Sequence, residues 1–498
     1  MSDALSHDER PWFGQPRGLA TLYFTELWER FSYYGMRAIL LLYMTRPAAE
    51  GALGWDPASA GLVYGNYTMS VFMLAIVGGF VGDRFLGARR AVWVAGAIIV
   101  AGHFTLAFGT LSTFYAGLTL VALGSGLLKP NMSTLVGDLY APGDARRDAG
   151  FSIFYMGINV GALTGPLVVG FLAEHAQWRA FLARFGFDPL ASWHWGFGAA
   201  GVGMLLALLW LRATEHRIAH VGNAPPAAAA RPWGSLAGLA LGSAALFALV
   251  RASDQPGWEW LRWSFLAVPL ALAVGLGVRR DLSLRRLSAV LVLFLGAMVF
   301  WGAFEQGGTT LALFADRLTR TEAFGFTFPA SWFQSVGSVF VVLLAPLFAW
   351  FWPRLGPLEP SSPFKFALGL AFMAASFALM IPAARLTAAG LVSPWWLVGV
   401  FFLQTLGELC LSPVGLAAMT RLAPAKLAGV VLGVWFLADA LGNKLAGVMV
   451  GELATPDATA LSGFFEMQTL AIAAAALAML AVTPLVKRLM GAGATSRA

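Results

Sequence analysis

Fourteen stretches of mostly apolar residues, many of them about twenty long, run through this 498-residue chain, and nothing else in it constrains the fold as strongly. About 20 apolar residues in a helix match the ~30 Å hydrocarbon core of a bilayer. In lipid every backbone N–H and C=O must find its partner inside the protein, which a helix does within its own segment. The stretches cover approximately 18–44, 57–82, 89–110, 112–137, 148–173, 192–212, 233–250, 263–278, 288–316, 329–352, 364–386, 394–419, 426–451 and 464–486. A soluble globular chain carries about 25% charged residues; this one has 12%, too few to cover a water-facing surface. Its 56 Gly and 25 Pro follow no strict period, which excludes collagen, and its single cysteine excludes a disulfide scaffold. The expectation is an all-α polytopic membrane protein.

Residues 1–17, with Asp3, Asp8 and Glu9, read as a polar tail and not as a signal peptide. A Pro/Ala-rich linker precedes the seventh and eighth stretches, which are short and nearly featureless. They read as an inserted hairpin between two sets of six. The sets look like a repeat. Pro130 matches Pro413, Gly157, Gly161 and Gly165 match Gly447 and Gly451, and the loop Asp83–Gly87 matches Pro353–Gly356. Parallel six-helix repeats indicate a two-lobed transporter with a central cavity. The expected organisation is a tail at 1–17, a six-helix bundle at 18–212, linker and hairpin at 213–287, a second bundle at 288–490, and a tail at 491–498. With the N-terminus inside, 21 of the 33 Lys and Arg fall on inner ends and loops, 8 outside and 4 within spans, so both termini are expected in the cytoplasm.

Charges within the spans are few: Glu26, Glu29, Arg30, Arg37, Lys129, Glu305, Glu408, Asp439 and Lys444. Each costs roughly 2.5–3.5 kcal/mol near a span centre on insertion scales. The plain reading is ion pairing between helices; a set drawn from both halves favours a polar pathway. At about 100° per residue, Glu26, Arg30, Tyr33 and Arg37 share one helix stripe, with Glu29 beside it. Two neighbouring carboxyls suppress each other's ionisation while Arg30 favours it, which suits a group that loads and releases a proton. Trp301 and Glu305 are four apart, as are Glu408 and Ser412; Asp439 and Lys444, five apart, are not expected to pair. The histidines show no metal spacing, His103 being expected to pack or to sit at an interface. Nucleotide-loop, zinc-protease and nucleophile-elbow motifs are absent, so neither an enzyme nor a metal site is expected.

These residues resemble the proton-dependent oligopeptide transporter family of the major facilitator superfamily, bacterial type. The resemblance runs nearly the whole length. It is carried by Glu26-x-x-Glu29-Arg30 with Phe31-Ser32-Tyr33-Tyr34-Gly35, by Gly82–Arg90, Leu128–Asn131 and Asp148–Asn159, and by Phe300–Gly307, Ser331–Ser335 and Gly407–Leu416. It implies a major facilitator fold of two six-helix bundles plus the inserted pair, fourteen transmembrane helices in all. It also implies import of di- and tripeptides by alternating access, with protons as the coupling ion and no cofactor. The expected setting is a bacterial inner membrane, and the expected working unit a monomer.

By matching motif, Arg37 and Lys129 would hold the peptide carboxylate, and Asn159 and Glu408 its amino end. Tyr33, Tyr67, Tyr155, Trp301 and Trp435 would line side-chain pockets, with Glu305 and Ser412 also facing substrate. Glu26, Glu29, Arg30, Lys129 and Glu305 would couple the proton, and Arg37 with Glu305 and Lys129 with Glu408 would gate. Two departures stand out: Val336-Gly337-Ser338 where the family has x-Asn-Pro, and Phe72 where a tyrosine is common. Both make the site less polar and leave open a different solute, a nitrate-like anion or an amino acid conjugate.

Overall fold

The computed structural model describes residues 11–141, 143–224, 284–422, 428–453 and 457–491, with isolated positions between 244 and 275. The start of the N-terminal tail, the body of the inserted hairpin and most of the C-terminal tail lie outside the described residues. By packing, the chain divides into two compact units. The first takes in residues 1–43, 47–52 and 73–247; the second takes in 44–46, 53–72 and 248–498.

The first stretch of chain forms α1 (Gly18–Thr45), α2 (Pro57–Val81), α3 (Ala88–Leu106), α4 (Leu111–Asp138), α5 (Arg147–Glu174), the short α6 (Ala176–Arg184) and α7 (Ser192–Thr214). After the undescribed insert come α8 (Leu284–Phe304), α9 (Thr310–Leu318), α10 (Phe333–Arg354), α11 (Ser362–Leu386), α12 (Trp395–Leu422), α13 (Ala428–Met449) and α14 (Ala458–Gly491). Two-residue strands β1 (Glu322–Ala323) and β2 (Phe326–Thr327) form a hairpin, with Glu322 opposite Thr327. Among the described residues, nine helices are long and apolar enough to cross a membrane. The chain is a multi-pass helical membrane protein. The acids and bases of α1 keep that helix off the apolar tally, although at 28 residues it is long enough to span.

Local sequence explains several elements. Thr110 caps α4 reciprocally with Thr113, each side chain accepting the other's backbone N–H. Pro130 in α4 has no N–H for its turn, and Asn131 beside it donates to the Leu127 carbonyl at 2.7 Å and to the Gly78 carbonyl of α2 at 3.0 Å. Gly82 leaves room for that carboxamide, since a Cβ there would lie 2.6 Å from Asn131 Cγ. Arg89 at the start of α3 bonds Asn223 at 2.9 Å and the Ala219 carbonyl, which ties the chain after α7 back onto the bundle. Cys410, on α12, is fully buried.

The glycine repeat needs correction. Gly157, Gly161 and Gly165 do seat α5 on α1: a Cβ on Gly161 would overlap the Leu27 carbonyl oxygen and lie 2.7 Å from Arg30 Cβ. Gly447, the expected counterpart of Gly161, instead meets Gly61 and Gly65 of α2. The glycine of α13 that lies against α8 is Gly442, where a Cβ would come 2.6 Å from Trp301 Cβ. Spacing alone marks a glycine as a contact and does not name its partner.

Two further departures bear on function. The span expected at 288–316 is interrupted: α8 ends at Phe304, a 3₁₀ turn runs over Glu305–Gly308, and α9 restarts at Thr310. Two successive glycines, poor helix formers, sit at the break. The nine-residue α6 was not anticipated, because it is too short to span.

Candidate functional site

In the first unit the site is built on α1. The glycine seat of α5 brings that helix close along the stripe from Leu27 to Gly35. Helical spacing then places Arg30 Nε 2.8 Å from Glu26 Oε1 and 2.5 Å from Glu29 Oε2. All three side chains are almost wholly buried. Glu26 Oε2 and Glu29 Oε1 are buried with no hydrogen-bond partner among the described residues. The Tyr33 ring lies between two cations, with Arg30 Cζ 5.5 Å and Lys129 Nζ 5.0 Å from its centroid. Lys129 thus reaches the α1 stripe from α4, next to the proline that interrupts that helix. Two acids, a base and a phenol meet in one buried cluster, with the half-buried Lys129 at its edge.

The remaining predicted residues of this unit have other surroundings. Arg37 is half-buried on α1. Asn159, buried on α5, donates its Nδ2 to the Tyr155 carbonyl at 2.9 Å. Tyr155 is exposed. His103 is fully buried and meets Ser32 of α1 at 2.7 Å, a polar clip between α3 and α1.

The second unit holds Tyr67, Trp301, Glu305, Glu408, Ser412 and Trp435. Tyr67, Trp301, Glu305 and Trp435 are buried, while Glu408 and Ser412 are half-buried. Trp301 packs edge-on to Phe300 and Phe304, 5.4 Å between centroids in each case. Trp435 covers Gly415, where any Cβ would strike the indole, and leans on Phe366. Asp439 accepts from Asn443 at 2.9 Å, and Lys444 donates to Asn66 of α2. At Gly337, the departure from the family pattern, the backbone carbonyl faces the Thr405 hydroxyl at 3.5 Å.

Several residues that belong in this account escaped sequence reasoning. Arg46, just past α1, pairs with Asp316 of α9: Nη2 to Oδ1 is 2.6 Å and Nε to Oδ1 3.0 Å, both side chains largely covered. In the sequence Arg46 looked like one more cation between spans. Asn66, Gln306 and Gln468 are uncharged amides inside apolar runs, and a search for charges passes over them. Their signal was available, since an amide in a span also demands a partner.

A multi-pass helical bundle that keeps a buried acid–base cluster on its first helix has the make-up of a membrane solute carrier. The sequence model of the POT family matches residues 89–468. The peptide transporter YePEPT of Yersinia enterocolitica is 38% identical over 97% of this chain and 96% of its own. A di-/tripeptide transporter of Lactococcus lactis is 38% identical over 89% and 90%. A crystal structure of a peptide transporter POT, a mutant form in complex with alafosfalin, superposes with a TM-score of 0.85 at 39% identity, covering 97% of each chain. The chain belongs to the POT family.

Proposed function

We propose that the protein imports di- and tripeptides in symport with protons, through alternating access of bundles at 18–212 and 288–490. It works as a monomer in a bacterial inner membrane, with both termini in the cytoplasm. The observation that supports this most is the Glu26–Arg30–Glu29 cluster, linked through Tyr33 to Lys129.

In this reading Lys129 and Arg37 take the peptide carboxylate, and Asn159 and Glu408 take the amino end. Tyr33, Tyr67, Tyr155, Trp301 and Trp435 receive side chains, with Ser412 beside Glu408. With both acids of α1 charged, Arg30 and Lys129 balance them. A peptide carboxylate held by Lys129 takes up one of those positive charges, and a proton on Glu26 or Glu29 restores the balance. Proton and peptide binding therefore favour each other, by the same factor in each direction. Glu305 takes part in both events, and Arg37 with Glu305 and Lys129 with Glu408 are the gating pairs. No cofactor is needed, because the proton itself is the coupling ion.

The test is uptake of labelled dialanine into proteoliposomes with the interior alkaline, across a panel of competing solutes. Accumulation that collapses with the pH gradient, and competition by di- and tripeptides, is the expected result. Uptake competed by nitrate or an amino acid conjugate, and not by dialanine, would overturn the peptide assignment.

A further inference from the structure

The break in the α8–α9 helix is held by amides. Gln306 Nε2 donates to Gln468 Oε1 of α14 at 3.3 Å, and Gln468 Nε2 donates back to Gln306 Oε1 at 3.2 Å. The two carboxamides close a ring, each giving and taking one hydrogen bond. Both also point an N–H at Met449 Sδ of α13, at 3.3 and 3.1 Å, and Gln306 Nε2 reaches its own Gly302 carbonyl at 3.2 Å. Gln306 is fully buried and Gln468 is 5% exposed. An amide buried this deeply would be costly without a partner.

The placement matters because of the neighbour. Glu305 opens the 3₁₀ turn and Gln306 follows it directly, while Gly307 and Gly308 offer no side chain to grip. The far end of the turn has its own anchors: Gln334 of α10 donates to the Gly307 carbonyl, and the Thr309 hydroxyl donates to the Ala446 carbonyl at 3.2 Å. One residue after Glu305, the Gln306–Gln468 ring anchors the near end of the turn. In a 3₁₀ turn successive side chains stand about 120° apart. Fixing Gln306 against α13 and α14 therefore fixes the direction in which the Glu305 Cα–Cβ bond leaves the turn, about a third of a turn away, and with it the region its carboxyl can reach.

We infer that Gln306 and Gln468 are positioning residues, a reciprocal amide pair that aims Glu305 and so sets how transport responds to the proton gradient. The inference rests on the role given to Glu305 above. A pair that only staples α14 to α8 would affect stability and nothing else. The two are separable, because removing both partners of a buried hydrogen bond costs far less stability than removing one.

The experiment compares wild type, Gln468→Met, and the double variant Gln306→Met with Gln468→Met. The readouts are melting temperature, gradient-driven accumulation of dialanine, its pH profile, and dialanine counterflow without a gradient. Gln468→Met is expected to lower the melting temperature, and the double variant to recover most of it. Both are expected to lose roughly fivefold in accumulation relative to counterflow, the factor that one net hydrogen bond is worth, with a shifted pH profile. Accumulation and pH profile at wild-type levels in Gln468→Met would overturn the inference even if the double variant does not fold. Wild-type protein that fails to accumulate dialanine would instead overturn the transport reading.

Discussion

Arg30 stands between two carboxylates that would otherwise repel each other in a region with little water. Breaking a buried ion pair by removing one partner typically costs about 3–5 kcal/mol, because the other charge is left behind. Glu29→Gln avoids that penalty in part, since the amide keeps the shape and still meets Arg30. It cannot change its protonation. The expected outcome is loss of accumulation against a gradient with peptide exchange retained, measured in proteoliposomes with and without an imposed pH difference. Accumulation by Glu29→Gln at the wild-type level would remove Glu29 from coupling. This part of the site was legible in the sequence, because charges in an apolar run stand out and helical spacing puts them on one stripe. The reach of Lys129 to Tyr33 was not, since it depends on how α4 is set against α1. Asn66 on Lys444 and Gln306 on Gln468 were missed for a different reason: neutral amides carry no charge, and only charges were followed through the spans.

Helix boundaries in the sequence followed the length of apolar runs, and most fall within a few residues of the structure. The failures have physical causes. Averaged over a span-length window, hydropathy stays high across Arg286–Leu318, which masks the short polar dip at Glu305–Thr309 where α8 and α9 part; the turn is made by Gly307 and Gly308 and by amides that arrive from α10 and α14. The partner of a glycine contact is likewise set by tertiary packing, as Gly447 and Gly442 show. The seat of α5 on α1 gives a test at this scale. Gly161→Val would push a branched side chain into the Leu27 carbonyl and Arg30 Cβ, and overpacking of this kind costs roughly 1–3 kcal/mol. A lower melting temperature and loss of dialanine uptake are expected together, because the same displacement moves the acid–base stripe. Gly198→Val is the control, since a Cβ there meets its first neighbour only at 4.0 Å. Equal effects of the two substitutions would argue against a special role for the α5–α1 contact.

For the molecule as a whole, transport of a zwitterion asks for a cation and an anion presented by different helices. Lys129 of α4 and Glu408 of α12 are proposed for those ends. Glu408→Gln is expected to weaken dipeptides with a free amino end more than their N-acetylated forms, read as inhibition of labelled dialanine uptake. Equal weakening of both would show that Glu408 does not read the amino group. A ligand read at both ends has a preferred length, so tetra-alanine should compete poorly beside dialanine. The Arg46–Asp316 pair adds a second whole-molecule test. Reversing either charge alone should impair uptake, and exchanging the two, Arg46→Asp with Asp316→Arg, should recover part of it. Failure of the exchange to improve on either single change would mean that the pair does not act as a pair.

Cys410 has a practical consequence. The chain has one sulfhydryl, and it is sealed inside α12 with no exposed surface. A maleimide offered to the native protein should find nothing to react with, and unfolding should reveal one site per chain. Cysteines engineered at chosen outer and inner helix ends can therefore carry spectroscopic rulers in an otherwise unaltered background. The opening and closing of this carrier can be timed without first stripping it of native thiols.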